Sequence, residues 1–308
     1  MRKGIPHRYP LVMDGGLSNQ LESQGNNLDN PLWTAALLAD HPEEIKNAHL
    51  AYLEAGARCL ITSSYQASIQ GFMALGYDKN KAEEFMLQTV GLARQAVREF
   101  TSRTRTEIVP RVAASIGPYG AGLADGSEYT GDYGVSPETL ARFHRPRLEL
   151  LDATEADFFA VETIPDFTEA TVLSGLLRNK SKSAWISFSC KDEEYLRDGT
   201  PVEDALRLFA GHSRVFALGV NCTAPRHITG LIRRVKAAAP AKRVVIYPNS
   251  GETYHAESKT WSDSADLDHL ERMTEEWLDA GADIIGGCCR MGPAEIRAIA
   301  RAVYSRSS

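Results

Sequence analysis

Short apolar runs rich in β-branched residues alternate with longer amphipathic stretches along this chain, and the alternation occurs eight times in 308 residues. The strand-like runs cover residues 10–16, 59–65, 109–117, 158–164, 184–190, 215–222, 244–248 and 283–288. Most are short and free of internal proline, the form of strands buried on both faces of a parallel sheet. The helix-like stretches cover 42–57, 80–100, 137–156, 168–178, 202–210, 227–239, 266–280 and 293–303. Ser136-Pro137-Glu138 and Gly292-Pro293 put proline at a first helical position. Gly56 and Gly281 stand where a helix would end before the next strand, and glycine suits that C-cap. Eight strand-then-helix units predict an α/β fold, a (β/α)8 TIM-type barrel in a single domain over 1–308. An open doubly wound sheet would want G-x-G-x-x-G after its first strand, and none stands there.

A barrel of this type carries its site at the C-terminal ends of the strands. Two connections on that side are long, 17–41 after the first strand and 119–134 after the third, the latter with five glycines. Long ordered loops at that face read as lids or substrate walls. Lys plus Arg number 34 against 40 Asp plus Glu, a formal charge of −6, which excludes the basic excess of a nucleic-acid binder. No apolar run approaches the roughly 18 residues of a membrane span, and the N-terminus lacks an apolar signal core. Five cysteines, an odd number in a large chain, make no disulfide framework. A reducing compartment, the cytoplasm, is the expected location.

Three of those cysteines stand at strand ends. Cys222 closes the sixth run in Gly219-Val220-Asn221-Cys222-Thr223, and Cys288-Cys289 close the eighth in Gly286-Gly287-Cys288-Cys289-Arg290. In a closed barrel both ends face one mouth, so three thiols converge there. Three thiolates suit zinc, which takes a tetrahedron of S and N ligands, and leave its fourth position open as in catalytic sites. Gly286-Gly287 would supply the backbone freedom that adjacent cysteines need to serve one ion. The competing reading is of small buried hydrophobes, the reading that fits Cys59 and Cys190 inside their strands.

Asp14-Gly15-Gly16 ends the first run. It reads either as a carboxylate beside exposed amides, suited to an amino-acid zwitterion, or as a common turn. Glu162 ends the apolar fourth run, and a buried acid there needs a substrate ammonium or a neighbouring Arg or Lys. Thr62-Ser63-Ser64-Tyr65-Gln66 and Tyr247-Pro248-Asn249-Ser250-Gly251 offer hydrogen-bonding groups to the mouth, or are ordinary loop polarity. The eight histidines are scattered, without H-E-x-x-H, and read as mostly exposed.

Taken together, Met13-Asp14-Gly15-Gly16, Leu32-Trp33, Thr62 to Gln66, Val161-Glu162-Thr163, Gly219 to Cys222 and Gly286 to Arg290 resemble the homocysteine S-methyltransferase family over roughly residues 10 to 304. The resemblance implies a (β/α)8 barrel with one Zn2+ on Cys222, Cys288 and Cys289. It implies that Asp14 and Glu162 bind the homocysteine amine and that amides near Gly15 and Gly16 hold its carboxylate. Tyr65, Asn221 and Asn249 complete the expected substrate-binding set. The expected branch is the short, stand-alone one, which methylates homocysteine to methionine with S-methylmethionine and, less efficiently, S-adenosylmethionine. Trp33, Tyr65 and Tyr129 are the aromatic residues available to face a sulfonium by cation–π contact, or they are ordinary packing. A betaine-type donor, a non-catalytic zinc and homocysteine-binding module and a zinc hydrolase are the competing readings. The expected partners are small molecules, not nucleic acid or membrane, for a monomer or small homo-oligomer.

Overall fold

The computed structural model describes residues 11–28, 37–106, 108–123, 125–255, 260–262 and 267–306. Strands β1 (Leu11–Val12), β2 (Cys59–Ile61), β3 (Arg111–Ile116), β4 (Phe158–Ile164), β5 (Ala184–Phe188), β6 (Val215–Asn221) and β7 (Arg243–Tyr247) are followed by a separate antiparallel hairpin, β8 (Thr253–His255) with β9 (Thr260–Ser262), and then by β10 (Ile284–Ile285). Strands β2 to β7 pair in chain order, all parallel, and β10 stands between β7 and β1. A bridge between Met13 and Cys59 closes the barrel, with Arg58 N–H on Val12 O at 2.8 Å and Asp14 N–H on Cys59 O at 3.0 Å. The expected (β/α)8 TIM-type barrel is therefore the observed one.

The helices that wrap it are α1 (Leu17–Ser23), α2 (Leu37–Asp40), α3 (Pro42–Ala55), α4 (Ile69–Ala74), α5 (Lys79–Thr104), α6 (Tyr119–Leu123), α7 (Pro137–Asp152), α8 (Phe167–Leu177), α9 (Val202–Ala210), α10 (Pro225–Ala238), α11 (Leu270–Ala280) and α12 (Pro293–Ser305). The local signals act as expected. Ser136 caps α7 by accepting from Thr139 N–H, and Pro137 and Pro293 open their helices. Gly56 and Gly281 close α3 and α11 in the left-handed region, at φ of 114° and 108°. The long connections are not bare loops: α1 and α2 lie in the first, α6 and a 3-10 turn at Ser127–Tyr129 in the second. No helix among the described residues is long and apolar enough to cross a membrane.

The two-residue period of the strands divides the apolar residues into two cores. Met13, Cys59, Ala113, Phe158, Ala160, Trp185, Ala217, Val245, Tyr247 and Ile284 fill the barrel interior. Their alternates, such as Leu60, Val112, Val161, Ile186, Leu218 and Ile246, pack under the helices. Each such Val, Leu, Ile or Phe stabilises the fold by roughly 1.5–3 kcal/mol. Cys59 joins the inner set and Cys190 the outer, both free and buried, with burial pushing the Cys190 thiol up to about 12. Three histidines, His49, His144 and His212, are buried rather than exposed.

The eighth barrel strand is shorter than its apolar run. It stops at Ile285, and Cys288-Cys289 lie in the turn beyond. Gly286 and Gly287 do not take the left-handed conformation that would make use of glycine's backbone freedom. They are required for space: a Cβ on Gly286 would stand 2.7 Å from Asp14 O, and one on Gly287 would stand 2.6 Å from Met291 Cβ. The chain keeps bonding through them, Gly286 N–H to Ile246 O, Gly287 N–H to Asp14 O and Cys288 N–H to Pro248 O. The cysteine turn is thereby stitched to the strands on both its sides.

Candidate metal centre

Continuing the inward alternation past the apolar interior reaches a polar layer. Ser115 on β3, Glu162 on β4, Ser187 on β5, Asn221 on β6 and Tyr247 on β7 are all buried. Ser187 Oγ bonds Asn221 Oδ1 at 2.8 Å and shares a hydrogen bond with the Tyr247 hydroxyl, which also accepts from Trp185 Nε1 at 3.1 Å. Ser115 and Tyr247 both hydrogen-bond the Glu162 carboxylate.

Two residues directly after this layer break the alternation. Thr163 has φ of 60° and Cys222 has φ of 49°. For side chains other than glycine this region is costly, on the order of 1–3 kcal/mol each, and persists only where the surroundings enforce it. An extended strand would turn both away from the axis, yet both line the central cavity. Asn221 is the brace. Its Nδ2 donates to Thr163 Oγ1 at 2.7 Å, its Oδ1 accepts from Thr163 N–H at 2.8 Å, and Nδ2 lies 3.8 Å from Cys288 Sγ.

The kink brings Cys222 to the other two thiols. The sulfurs of Cys222, Cys288 and Cys289 all lie within 4.8 Å of one another. Cys222 and Cys289 are 3.5 Å apart, Cys288 and Cys289 4.0 Å. A tetrahedral ion with metal–sulfur bonds of about 2.3 Å sets its sulfurs roughly 3.8 Å apart, so the trio fits such an ion. The donor set is anchored by the backbone: Cys222 N–H on Tyr247 O at 3.1 Å, and Ser250 N–H on Cys289 O at 3.1 Å. Arg290, the residue after the pair, bonds Asn19 Oδ1 through its N–H and Glu252 through its guanidinium. Hydrogen bonds from Cys288 and Cys289 pull the Cys222 thiol well below its ordinary value, while the hydrogen bond to Cys222, with its charge adding, pushes the other two up. Three thiols so placed could hold a positive ion among them.

The cavity holds about 110 Å³ and is lined by the three cysteines, Gly15, Gly16, Tyr65, Tyr129 and Glu162 among others. Asp14 lies beside it, 4 % exposed, its carboxylate accepting from Ile61 N–H at 2.8 Å. Asn221 sits beneath it as the brace. Asn249 is not in the lining; its Oδ1 accepts from Gly251 N–H at 3.1 Å and closes a turn. Trp33 lies outside the described residues. Gly15 and Gly16 let β1 approach the cysteine turn: a Cβ on Gly15 would stand 2.2 Å from Met291 O, one on Gly16 2.7 Å from Cys288 O. The Gly16 N–H donates to Met291 O at 2.9 Å, so that amide is already engaged. Thr62, Ser63 and Tyr247, which the sequence offers to the mouth only as parts of longer motifs, line the cavity, and so does Thr163, to which the sequence assigns no role. Strand parity from Val245 singles out Tyr247 within its motif; nothing local announces the kink at Thr163.

Burial, with the charge of Cys288 adding to it, pushes Glu162 up to about 8. Burial likewise raises Asp14 well above the usual carboxylate range, and the charge of Glu162 adds to the effect. Among the described residues no Arg or Lys pairs with either. Two adjacent buried acids without a resident cation make a receptor for an incoming one. The shift has a sign that can be measured. Between the unfolded value of 4.5 and about 8, the native carboxyl holds a proton that the unfolded chain has lost. Stability therefore falls as pH rises through that window and levels off above it. Glu162→Gln removes the effect, so its melting temperature should gain on the parent's between about pH 5 and pH 9. A gap that stays constant over that range would put Glu162 at an ordinary carboxylate value.

A (β/α)8 barrel that gathers three thiols at metal-binding spacing, beside two buried acids, defines a class of barrel protein with a candidate metal centre at its mouth. The chain belongs to the homocysteine S-methyltransferase family, whose model matches residues 11–303. Homocysteine S-methyltransferase YbgG of Bacillus subtilis is 44 % identical over 297 residues, covering 95 % of this chain and 94 % of that one. Homocysteine S-methyltransferase 4 of Zea mays is 46 % identical, with 95 % and 89 % covered. Among solved structures, the metallated form of the homocysteine methyltransferase MmuM from Escherichia coli superposes with a TM-score of 0.86 at 41 % identity, covering 96 % of both chains. The chain is thus an enzyme of methyl transfer to homocysteine.

Proposed function

We propose that the methyl donor is a sulfonium, S-methylmethionine first and S-adenosylmethionine second, and that the ion at Cys222, Cys288 and Cys289 is zinc. The observation that carries this reading is the near-tetrahedral spacing of three sulfurs within the cavity that Glu162 also lines. An all-thiolate set favours zinc over the harder cations, which take oxygen, and the metallated form of MmuM supports a metal at this fold. When bound, zinc lowers the pKa of a thiol offered to its open position, making the acceptor sulfur a nucleophile at neutral pH.

The protein's own residues do the rest. Asp14 and Glu162 hold the homocysteine ammonium, and that charge returns both acids to their ionised forms. Gly15 and Ser18, which line the cavity, are assigned to its carboxylate, since the Gly16 amide is engaged. Tyr65 and Tyr129 are assigned to the sulfonium. In the transfer a sulfur–carbon bond forms at homocysteine and the methyl–sulfonium bond breaks. The electron pair stays with the departing sulfur, which leaves as a neutral thioether. The leaving group takes no proton, so the site needs no general acid, and catalysis rests on alignment of the two sulfurs. Three thiolates around a divalent ion leave one negative charge in excess, which draws a cationic donor and does not draw a neutral one. Free thiols of this kind fit a reducing compartment, the cytoplasm.

The test is a donor comparison on the zinc-loaded enzyme, with homocysteine fixed and methionine measured. S-Methylmethionine should give the highest kcat/KM, S-adenosylmethionine a lower one, and betaine none. Turnover with betaine in preference to both sulfonium compounds, or a purified protein that is fully active without zinc, would overturn the reading.

A further inference from the structure

We propose that Glu128 selects the methyl donor by binding its α-ammonium group. The inference rests on the sulfonium reading above and adds to it the part of the donor that is recognised. Glu128 stands in the 3-10 turn Ser127–Tyr129, within the glycine-rich connection after β3. It is 5 % exposed, and its Oε2 has no hydrogen-bond partner among the described residues. Among the described residues no cation acts on it, and the one outside charge that does is another acid, Asp125. Burial accordingly raises its carboxyl to about 7. A carboxylate buried in this way is unfavourable for the fold, which an apolar side chain of the same size would serve better.

Its position connects it to the site. The next residue, Tyr129, lines the cavity, and the charge of Glu128 bears on both Tyr129 and Tyr65. The turn that carries the carboxylate is also held in place. A Cβ on Gly120 would stand 2.5 Å from Glu128 N, so the turn lies directly on α6. The connection is pinned from below by buried Glu169, which accepts from Tyr119 N–H at 2.6 Å and from the Tyr133 hydroxyl at 3.1 Å. Gly131 N–H closes the turn on Ser127 O at 2.9 Å.

The chemistry of the unpartnered oxygen narrows the ligand. It wants an N–H donor carrying positive charge. A sulfonium has charge but no N–H; a quaternary ammonium likewise has none. An α-ammonium has both. Asp14 and Glu162 take the ammonium of the acceptor, which leaves Glu128 for that of the donor. The site is thereby matched to sulfonium amino acids and not to sulfonium acids that lack the amine.

The experiment compares the zinc-loaded parent with Glu128→Gln, and with Glu128→Met as a second variant of similar volume. Binding of S-methylmethionine is measured by calorimetry without homocysteine, and KM for each substrate by methionine formation, with dimethylsulfoniopropionate as the amine-free donor. Both variants should weaken S-methylmethionine, in Kd and in KM, by about tenfold or more. The KM for homocysteine should stay within about twofold, and the preference for S-methylmethionine over dimethylsulfoniopropionate should shrink by the same factor as the Kd rises. The melting temperature should rise by about 1–3 °C, because an uncompensated buried charge is gone. An unchanged donor Kd with a lowered melting temperature would make Glu128 structural, and a raised homocysteine KM would assign it to the acceptor; either overturns the proposal. A parent that binds S-methylmethionine through Glu128 yet transfers no methyl from it would instead refute the sulfonium reading and leave the binding site standing. A parent that does not bind S-methylmethionine refutes the inference itself.

Discussion

Cys288→Ala should leave the enzyme without stoichiometric metal and lower kcat/KM by about 10³-fold or more, with the barrel intact. The estimate has two parts. A homocysteine thiol with a pKa near 8.5 is only about 3 % ionised at pH 7, so loss of metal activation alone costs about 30-fold. Loss of the fixed acceptor position adds at least a comparable factor, since alignment of reacting atoms is worth far more than that in intramolecular models. The fold should survive because Cys288 lies half-buried in the turn beyond β10, outside the strand ladder. Cys222→Ala should behave alike, and the alanine keeps the Cβ strain of the left-handed residue at φ of 49°. Cys190→Ala is the control: that thiol packs in the outer core, and its loss should lower stability without lowering metal content. Elemental analysis beside a methionine assay checks all three. Full activity in Cys222→Ala would break the ligand assignment.

The barrel was legible because a parallel strand buried on both faces writes an apolar run, and a helix over it writes a 3.6-residue period. The cysteines were legible because core packing has no reason to place thiols at strand ends. What could not be read are features set by contacts between distant segments. Gly286 and Gly287 suggest backbone freedom, yet Gly286 lets the chain pass the end of β1 at close range and Gly287 makes room for Met291. Gly16 suggests a free amide, yet Met291 takes it. Thr163 looks like one more strand residue, and its left-handed kink exists because Asn221, 58 residues on, braces it from both sides. Asn249 and Tyr247 are two residues apart in one motif, and the strand register sends Tyr247 inward while Asn249 closes a turn. The hairpin at Thr253–His255 and Thr260–Ser262 leaves no mark in the sequence pattern because its strands are only three residues long, too short for a period to show.

Asp14→Asn and Glu162→Gln should each raise the KM for homocysteine by roughly 30-fold or more, because truncating one partner of a buried charged pair costs about 2–5 kcal/mol. The two effects should not add. Both acids serve one ammonium, and the charge of Glu162 raises the pKa of Asp14, so removing Glu162 makes Asp14 easier to ionise. At saturating homocysteine, kcat should fall by less than KM rises, since neither carboxylate touches the sulfur that reacts. The decisive comparison uses 4-mercaptobutanoate, which keeps the thiol and the carboxylate but lacks the amine. The parent enzyme should use it poorly, because an acid pair is then buried with nothing to neutralise it. The variants should use it no worse than the parent does, so the preference for homocysteine should collapse in step with the rise in KM. Were both acceptors to weaken equally in Glu162→Gln, the carboxylate would be shaping the cavity through Ser115 and Tyr247 instead of reading charge. Equal weakening is not expected: Glu162 is held near 8 in a layer of hydroxyls and thiols, a poor place for a structural carboxylate and a good one for an ammonium to displace its proton.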